Sequence, residues 1–399
     1  MSQQSDPGTE HKEHRSYEAV KALSEDAYIV RRVSDGEQFI GHAWDLEGDF
    51  AADDLNDHLK RGAETPVWAL LNHENLMSIV GSTENVVFMG SGNHLKRLLL
   101  WDFADAGTLK AIFEDPPLYP TETGFLPESL CWHVVISVLR ALAWLHEGYR
   151  EEYHIAPRDG DTVCEKKTWV IDSDWMPILH RNITPANIFF QHPKGSETYG
   201  FCKLGNFGKA FVSGHVNNKS GGPVVTVRSG DVPMADLRNT IAVEDIYTIP
   251  KGKRPYTKGT ELHKLGAILH RMMTGSAAPP EEECSGCGCR HNDPSAPTCS
   301  HADCHGDVNW MSLEARLKDY TAGLKEILFM LLSAYRGSGN PVNAIACLDV
   351  ANQAFLWWKS GTPDGHLFVE WEDDQDKRWK NLLHKHEKVT TVGGAVAAG

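Results

Sequence analysis

The chain has 399 residues, and 54 acidic side chains against 39 lysines and arginines give it a formal net charge of −15. Its content of 41% hydrophobic and 23% charged residues is that of an ordinary globular protein. The acidic excess argues against a nucleic-acid partner and against attachment to a membrane, because both need clustered positive charge. No apolar run approaches the roughly 20 residues of a membrane-spanning helix. The polar N-terminus predicts no secretory signal, so we expect a cytoplasmic or nuclear protein with reduced cysteines.

The first part of the chain is predicted to be rich in strands. Residues 1–16 are polar and aperiodic, which predicts a disordered tail. Apolar residues on both sides of Ser34-Asp35-Gly36 predict a β-hairpin over residues 28–44. A helix is expected over residues 53–71. Short strands are then expected over residues 75–80, 86–89 and 98–103.

The second part is predicted to be mainly helical. Apolar residues at helical spacing predict a long buried helix over residues 126–146, and the charged residues 147–175 suggest an irregular exposed insertion. A strong helix is expected over residues 260–274, ended by Gly275. The remaining elements are expected to be short strands over residues 175–190 and 201–211, a loop over 212–250 and helices over 309–358. Strands before helices indicate an α+β fold.

Two motifs carry most of the functional information. The segment from His180 to Asn187 reads His-Arg-Asn-Ile-Thr-Pro-Ala-Asn, and a second segment reads Asn206-Phe207-Gly208. The first resembles the catalytic loop of protein kinases, H-R-D-x-x-x-x-N, and the second resembles their D-F-G segment. Three further segments resemble the kinase turn after helix C, the hinge and the start of helix F: residues 71–76, 99–109 and 261–266. The chain is therefore similar to protein kinases, and among them to kinase-like proteins of filamentous fungi.

The resemblance implies a bilobal fold within one kinase-like domain over residues 17–360. A small β-rich N-lobe would cover residues 17–103, and a larger helical C-lobe would cover residues 104–360. The C-lobe would carry a cysteine-rich insertion over residues 280–308. Residues 361–399 would form a charged extension and tail.

The departures from the kinase pattern affect the residues that handle protons, metal and phosphate. Asn182 stands where kinases have the catalytic-loop Asp, and an amide cannot act as a base. Asn206 stands at the metal-binding Asp of D-F-G, and His42 stands at the strand-3 Lys. Glu64 and Asn187 keep their family identities. Residues 16–33 contain no glycine, so the usual phosphate-covering loop is missing from the sequence.

The resemblance also places large side chains in the adenine slot. Trp101 aligns with the gatekeeper position beside Asp102 of the hinge, Phe189 aligns with the floor of the slot, and Ile40 aligns with its cover. Together with His42 and Glu64, these are the expected nucleotide-pocket positions. Because three of them are bulky, we expect neither ATP nor magnesium to bind.

Scaffold positions of the family persist beside these losses. His180, Phe207 and Trp68 match the apolar column that connects the two kinase lobes, and Glu261 keeps a carboxylate where helix F anchors the catalytic loop. The expected function is therefore a pseudokinase, a scaffold or regulatory binding module for an unknown protein partner. The alternative is an atypical protein kinase with residual ATP binding and weak phosphotransfer, so enzymatic activity stays open at this point. The degenerate catalytic positions are His180, Arg181, Asn182, Asn187, Asn206, Phe207 and Gly208.

Five of the nine cysteines crowd into one short segment. Cys284 and Cys287 form a C-x₂-C pair, and Cys299 and Cys304 follow after a spacer, which is a ligand set suited to a closed structural zinc site. Cys289 and His301 are alternative ligands. The competing interpretation is a loop with unligated thiols or an oxidised pair.

The C-terminal region is rich in tryptophan and acid. We expect Trp357, Trp358, Trp371 and Trp379 to pack the terminal helix. The acidic stretch from Glu370 to Asp376 is expected to be a solvated face.

Overall fold

The protein is an α+β structure in which a closed sheet precedes a group of helices. The predicted fold class is confirmed at this level. The computed structural model describes residues 17–23, 27–43, 73–88, 94–115, 125–158, 161–171, 175, 177–194, 197–207, 210–212, 224–225, 240–241, 257–277, 310–334 and 342–372. The predicted tail, the predicted helix over 53–71 and the cysteine-rich insertion lie outside these ranges.

Five strands form the closed sheet, in the order β1-β2-β3-β5-β4. Their bounds are Tyr17–Ala22 (β1), Ala27–Arg32 (β2), Gln38–Ala43 (β3), Ile79–Phe88 (β4) and His94–Asp102 (β5). Neighbours pair antiparallel, except that β1 pairs parallel with β4 and so closes the sheet. The predicted hairpin is confirmed as β2–β3, whose turn contains Gly36 at φ +76°.

The prediction of strands after this hairpin is confirmed for residues 86–89 and 98–103, which lie on β4 and β5, but the number of strands and their bounds are wrong. Two long strands, β4 and β5, pair with each other there, and residues 73–78 form a turn with one isolated bridge, Leu76 to Leu204. The strand expected from residue 75 begins only at Ile79, and the bridge of Leu76 uses a residue far along the chain that no local pattern reveals. The turn thereby joins the sheet to the helical part.

A small apolar core fills the closed sheet. Val30, Phe39 and Leu98 are buried in it with Ala19 and Leu100. Gly41 is required at its position on β3, because a Cβ there would lie 2.5 Å from Val30 Cγ2 and 2.9 Å from Leu98 Cδ1.

The helical part is built around one long helix. Helix α1 covers Leu109–Glu114, and α2 covers Glu128–Glu147, close to the predicted bounds, with most of its side chains buried. Helix α3, Lys258–Thr274, begins with a capping box of Thr257 and Thr260 and ends at Gly275, as predicted. The helices that follow are α4 (Trp310–Arg316), α5 (Ala322–Ser333), α6 (Ala344–Gly361) and α7 (residues 363–372).

Helix α2 is the one described helix that is long and apolar enough to cross a membrane by length and composition. The same test is passed by the core helices of soluble proteins. Most of α2 is buried against its neighbours inside the protein. It contacts α3, α6 and the strands near the candidate site, so it is the element on which the helical part is assembled.

The prediction of an irregular insertion over residues 147–175 is wrong. Strands β6, Tyr149–Arg158, and β7, Asp161–Ile171, form a long antiparallel hairpin. Asp159-Gly160, a dipeptide typical of two-residue hairpin turns, stands between them in the sequence. Charged residues within both strands interrupt the alternation of apolar and polar residues that predicts a strand.

Short strands carry the candidate site. They are β8 (Ile178–Leu179), β9 (Ile188–Phe190), β10 (Cys202–Leu204) and β11 (Phe211–Val212), followed by β12 (Val224–Val225) and β13 (Thr240–Ile241). Strand β9 pairs antiparallel with β10, and β8 pairs with β11. Because β8 pairs with β11, the chain segment between these two strands begins and ends at neighbouring positions.

We expect Gly148→Ala to lower the free energy of unfolding by about 2–5 kcal/mol. Gly148 ends α2 at φ +62°, and a Cβ there would lie 2.7 Å from the Trp175 ring. Left-handed strain contributes about 1–2 kcal/mol and overpacking about 1–3 kcal/mol. The control is Gly36→Ala, at φ +76° with nothing within 4 Å of its Cβ, which should cost only the strain. Equal losses in urea unfolding would contradict the packing account.

Candidate functional site

Two segments of the chain meet at the candidate site. The loop from His180 to Asn187 follows β8, and the segment from Gly205 to Phe207 follows β10. The Gly205 amide donates to the Asn187 carbonyl at 2.9 Å, and His180 Nε2 donates to the Gly205 carbonyl at 3.0 Å. The two kinase-like motifs, which are 26 residues apart between His180 and Asn206, are therefore side by side in space.

A buried carboxylate holds the loop in place. Glu261, on α3, accepts a hydrogen bond from the Arg181 backbone amide at 2.6 Å and one from His146 Nε2 at 2.7 Å. Glu261 and His146 are both fully buried. Arg181 has φ +60°, a conformation that side-chain-bearing residues rarely adopt. The anchoring contact expected of Glu261 is thus present, and it holds a strained residue of the loop.

The electrostatics of Glu261 reflect these contacts. Burial alone would raise the pKa of Glu261, but the hydrogen bond and charge of His146, helped by His180 and the Arg181 amide, hold it below its ordinary value. The carboxylate is therefore ionised in the folded protein at neutral pH. A group with a depressed pKa stabilises the fold above its unfolded pKa, and that contribution is lost as the pH falls.

Three asparagines form a hydrogen-bonded network at the centre of the site. Asn206 Nδ2 donates to Asn187 Oδ1 at 3.0 Å, and Asn187 Nδ2 donates to the Asn182 carbonyl at 2.7 Å. Asn206 has φ +67°, which asparagine tolerates better than most residues. All three side chains are uncharged at every physiological pH. The oxygen of Asn187 is thereby occupied by an amide donor.

Aromatic rings continue from this network towards the sheet. The Phe207 ring lies 5.0 Å from the His180 ring, edge to face, and 6.2 Å from the Trp101 indole, nearly parallel to it. Trp101 lies on β5 opposite Ile40 of β3. His180 and Phe207, from the predicted apolar column, and Trp101, from the predicted adenine slot, therefore form one series of ring contacts. Ile40 lies beside Trp101. Trp68, also expected in the column, lies outside the described residues.

His180 is neutral and oriented by two hydrogen bonds. Its Nε2 donates to Gly205, while its Nδ1 accepts from the Asn182 amide at 3.2 Å. Burial lowers the pKa of His180, and protonation of Nδ1 would also break the second bond. This ring is consequently a fixed structural element rather than a proton carrier.

An ion pair that the sequence analysis did not predict joins the end of β5 to β10. Lys203 Nζ donates to Asp102 Oδ2 at 2.9 Å and to the Leu76 carbonyl at 3.3 Å. The Ser78 amide also donates to Asp102 Oδ2, at 3.3 Å. Lys203 is buried within a three-residue strand whose other members are buried and apolar. A lysine within an apolar strand indicates a buried acidic partner. The sequence thus contained a hint of an ion pair at Lys203, but it did not identify Asp102 as the partner.

The other predicted pocket positions are placed differently. Phe189, on β9, approaches the segment from Gly205 to Phe207, because a Cβ on Gly205 would lie 3.0 Å from its Cε2. His42 lies on β3 with its side chain exposed, opposite Leu99. Glu64 and Gly208 lie outside the described residues.

The predicted zinc ligands also fall outside the structure's described ranges: Cys284, Cys287, Cys289, Cys299, His301 and Cys304. Within the described part of the chain, no group of three or more His, Cys, Asp or Glu side chains is arranged to hold a metal ion. The zinc site stays a prediction.

Comparison with known proteins gives no family assignment. The chain matches no protein-family model, and a search of curated proteins also found no match.

We expect Glu261→Gln to lower the free energy of unfolding at pH 7 by about 1.5–3 kcal/mol, the range for a hydrogen bond to a charged group. The amide removes the charge that faces His146 and cannot accept at both oxygen positions. The variant should also lose less stability than the wild type between pH 5 and about pH 3, because it lacks the depressed carboxylate pKa.

The matched control is Glu114→Gln, an exposed carboxylate that pairs with Lys110 on the surface of α1. Urea unfolding at several pH values should show no measurable change for this control. A Glu261→Gln protein as stable as the control would contradict the anchoring role.

Proposed function

We propose that the chain is a catalytically inactive protein kinase-like protein, a pseudokinase, that acts as a scaffold or regulatory binding module. The expected bilobal organisation, with the closed sheet as N-lobe and the helices as C-lobe, is part of this proposal. It is supported by the order of the five motifs and by His42 lying on the third strand, where kinases carry their phosphate-binding lysine. The observation that carries the proposal is the asparagine network.

In active kinases, the D-F-G Asp and the catalytic-loop Asn hold the magnesium ions that neutralise the phosphates. The corresponding residues here, Asn206 and Asn187, are joined directly by an N–H···O hydrogen bond of 3.0 Å. An amide hydrogen thus bridges two side chains that would otherwise share a divalent cation. Neither side chain carries the negative charge that a hard cation favours.

Proton handling is absent from the same constellation. Asn182 cannot accept a substrate hydroxyl proton near neutral pH. Its part in the network is played by its backbone carbonyl, which accepts from Asn187. The loop keeps its shape through hydrogen bonds and has no general base at the expected position.

The adenine slot is filled by side chains. Trp101 stacks on Phe207, and Ile40 is paired with Trp101 across the sheet. The Lys203–Asp102 pair ties the end of β5, next to Trp101, to β10. A nucleotide would have to displace an aromatic stack and separate a largely buried ion pair before it could enter.

The remaining parts of the proposal concern location and metal. We place the protein in the cytoplasm or nucleus with a protein partner. We also assign a structural zinc ion to Cys284, Cys287, Cys299 and Cys304, whose thiolates are ligands that zinc prefers.

The first test is nucleotide binding. With ATP at about 5 mM, with or without magnesium, we expect no shift in the thermal unfolding midpoint, because the slot is closed. The test is sensitive, since ATP that bound with a dissociation constant one hundredfold below that concentration would stabilise the fold by about 2.7 kcal/mol. Stabilisation by ATP would overturn the closed slot. Radiolabel transfer to a generic substrate that Asn187→Ala abolishes would establish the alternative, an atypical kinase.

The second test restores the lost acid. Asn206→Asp removes an N–H donor and places a carboxylate against Asn187 Oδ1, so we expect a loss of about 1–3 kcal/mol in the presence of EDTA. About 10 mM magnesium should recover part of that loss, because the cation can again bridge the two oxygens. Wild-type stability should not respond to magnesium.

The control for this variant is Asn182→Asp, since Asn182 enters the network through its backbone. It should show no comparable loss and no magnesium response in urea unfolding. If Asn206→Asp is as stable as the wild type in EDTA, the bridging hydrogen bond does not matter and the central observation fails.

A further inference from the structure

A cavity of about 280 Å³ lies between α2 and the segment 197–202. Helices α6 and α7 and the turn over residues 73–78 complete its walls. Ile40, Trp101 and Phe189, from the predicted adenine slot, do not line it. The cavity is therefore separate from that slot. Its volume is just below the range of roughly 300–1,000 Å³ for drug-sized ligands, which indicates room for a small molecule.

One face of α2 forms a wall of the cavity. Ser129, His133 and Arg140 line the cavity from positions four and seven residues apart, so they share one face of this mainly apolar helix. Ser129 Oγ lies 2.9 Å from Tyr199 Oη, and His133 Nε2 donates to the Gly200 carbonyl at 3.0 Å. These two hydrogen bonds hold α2 and the segment 197–202 together beside the cavity.

His133 contributes a hydrogen-bond acceptor to this wall. A carbonyl can only accept, so the Nε2 atom that bonds to Gly200 carries a hydrogen. Burial lowers the pKa of His133 to about 4, so the ring is neutral at pH 7. Its Nδ1 is then a lone-pair acceptor, and the described hydrogen bond of the ring is the one at Nε2.

Two other residues that line the cavity each carry a buried oxygen without a hydrogen-bond partner among the described residues. These orphaned oxygens are Asn75 Oδ1 and Thr198 Oγ1. Asn75 is 3% exposed, and its Nδ2 donates to the Cys202 carbonyl at 3.1 Å, which leaves Oδ1 as an acceptor in a fixed orientation. Because buried polar atoms are costly when unpaired, both oxygens favour a neighbour that donates hydrogen bonds.

Carboxylates outnumber basic groups in the lining of the cavity. Glu74, Glu197 and Glu372 line it, against the guanidinium of Arg140. Arg140 Nη1 lies 3.5 Å from Glu74 Oε1, and Lys359 lies 3.7 Å from Glu372. With His133 neutral, the groups that line the cavity have a negative net charge. A cation is therefore favoured there over an anion.

Aromatic rings form the rest of the lining. The Tyr199 ring lies 5.2 Å from the His133 ring and 6.3 Å from the Phe368 ring, and Phe355 lines the cavity beside them. Such rings can pack against a carbon chain, and their faces attract a cation.

The packing of α6 and α7 holds two of these rings in place. Phe368 of α7 packs against Phe355 and Trp358 of α6, with ring centroids 6.3 and 5.7 Å apart. Trp358 is 2% exposed, so the prediction that the tryptophans pack the terminal helix is right for Trp358. It is wrong for Trp357 and Trp371, which are more than half exposed. The aromatic wall is therefore preorganised.

We propose that this cavity binds a small organic cation with N–H donors, of the amine or guanidine class. The N–H groups would donate to His133 Nδ1 and to the two orphaned oxygens, the carboxylates would balance the charge, and the rings would cover the carbon chain. An apolar molecule would leave the acceptors unpaired. This binding role goes beyond the proposed scaffold function and does not depend on it, because the cavity and the nucleotide slot have no lining residue in common.

The probe is agmatine, which has a guanidinium and an ammonium group on a four-carbon chain, titrated into the full chain by calorimetry. We expect saturable binding to one site that weakens as salt is raised. Tetramethylammonium is a cation without N–H donors, and it should not bind detectably. Absence of saturable agmatine binding, or equal binding of the two cations, would overturn the proposal.

The charge requirement is tested by Glu197→Gln with Glu372→Gln, which removes two charges from the lining and nearly keeps its shape. Agmatine binding should weaken at least about tenfold, since hydrogen bonds to charged groups are the strong ones. The matched control is Glu114→Gln with Asp115→Asn, which removes the same charge outside the cavity. Equal weakening by the control would mean non-specific attraction to an acidic chain and would reject the site.

Thr198→Val separates binding from folding, because it replaces an orphaned hydroxyl by a methyl group of similar size. Agmatine binding should weaken about three- to tenfold, the loss of one hydrogen bond. The urea unfolding midpoint of the free protein should stay the same or rise, since a buried polar group without a partner is removed. A folded variant with unchanged agmatine affinity would contradict the proposal.

Discussion

The structure of the site depends on one buried carboxylate. Glu261 divides its two oxygens between His146 of α2 and the backbone amide of Arg181, so a single side chain joins the two principal helices to the loop. The capping box at Thr257 fixes the first turn of α3 and hence the position of Glu261. An ionised group at this depth is stable only with such partners. Without the hydrogen bond from Glu261, no contact of this strength would stabilise the left-handed conformation of Arg181. The loop that carries Asn182 and Asn187 would then no longer be held in position for the asparagine network.

The asparagines show how a site can hold its shape without charged side chains. A carboxamide is nearly isosteric with a carboxylate, but it brings its own donors and needs no counter-ion. Asn206 uses that donor on Asn187, and Asn187 uses its own on the Asn182 carbonyl. Neutral hydrogen bonds thus hold the loop and the segment after β10 together without a charged side chain among the three asparagines.

Much of the fold was accessible from the sequence where local patterns decide the structure. The long helix α2, the β2–β3 hairpin and the glycine end of α3 follow from periodicity and from turn residues. The β6–β7 hairpin was missed because its charges obscure alternation. The Lys203–Asp102 pair depends on how β5 and β10 meet, which no local pattern contains. Adjacent tryptophans on α6 differ in burial because Phe368, from another helix, selects the face that turns inward. The family resemblance supplied the contact of Glu261 with the loop, whereas the contact of Lys203 with Asp102 was not predicted.

The pairing of the strands in the closed sheet has a consequence for recognition. The closure of β1 on β4 covers only two residue pairs, Glu18 with Val87 and Ala19 with Phe88. Strands β2 and β3, by contrast, have a paired neighbour on both sides, so they present no row of unpaired amide and carbonyl groups to another chain. A partner that binds by adding a strand, or an aggregate that grows in the same way, is therefore excluded from β2 and β3. Any protein that recognises these two strands must do so through their side chains alone.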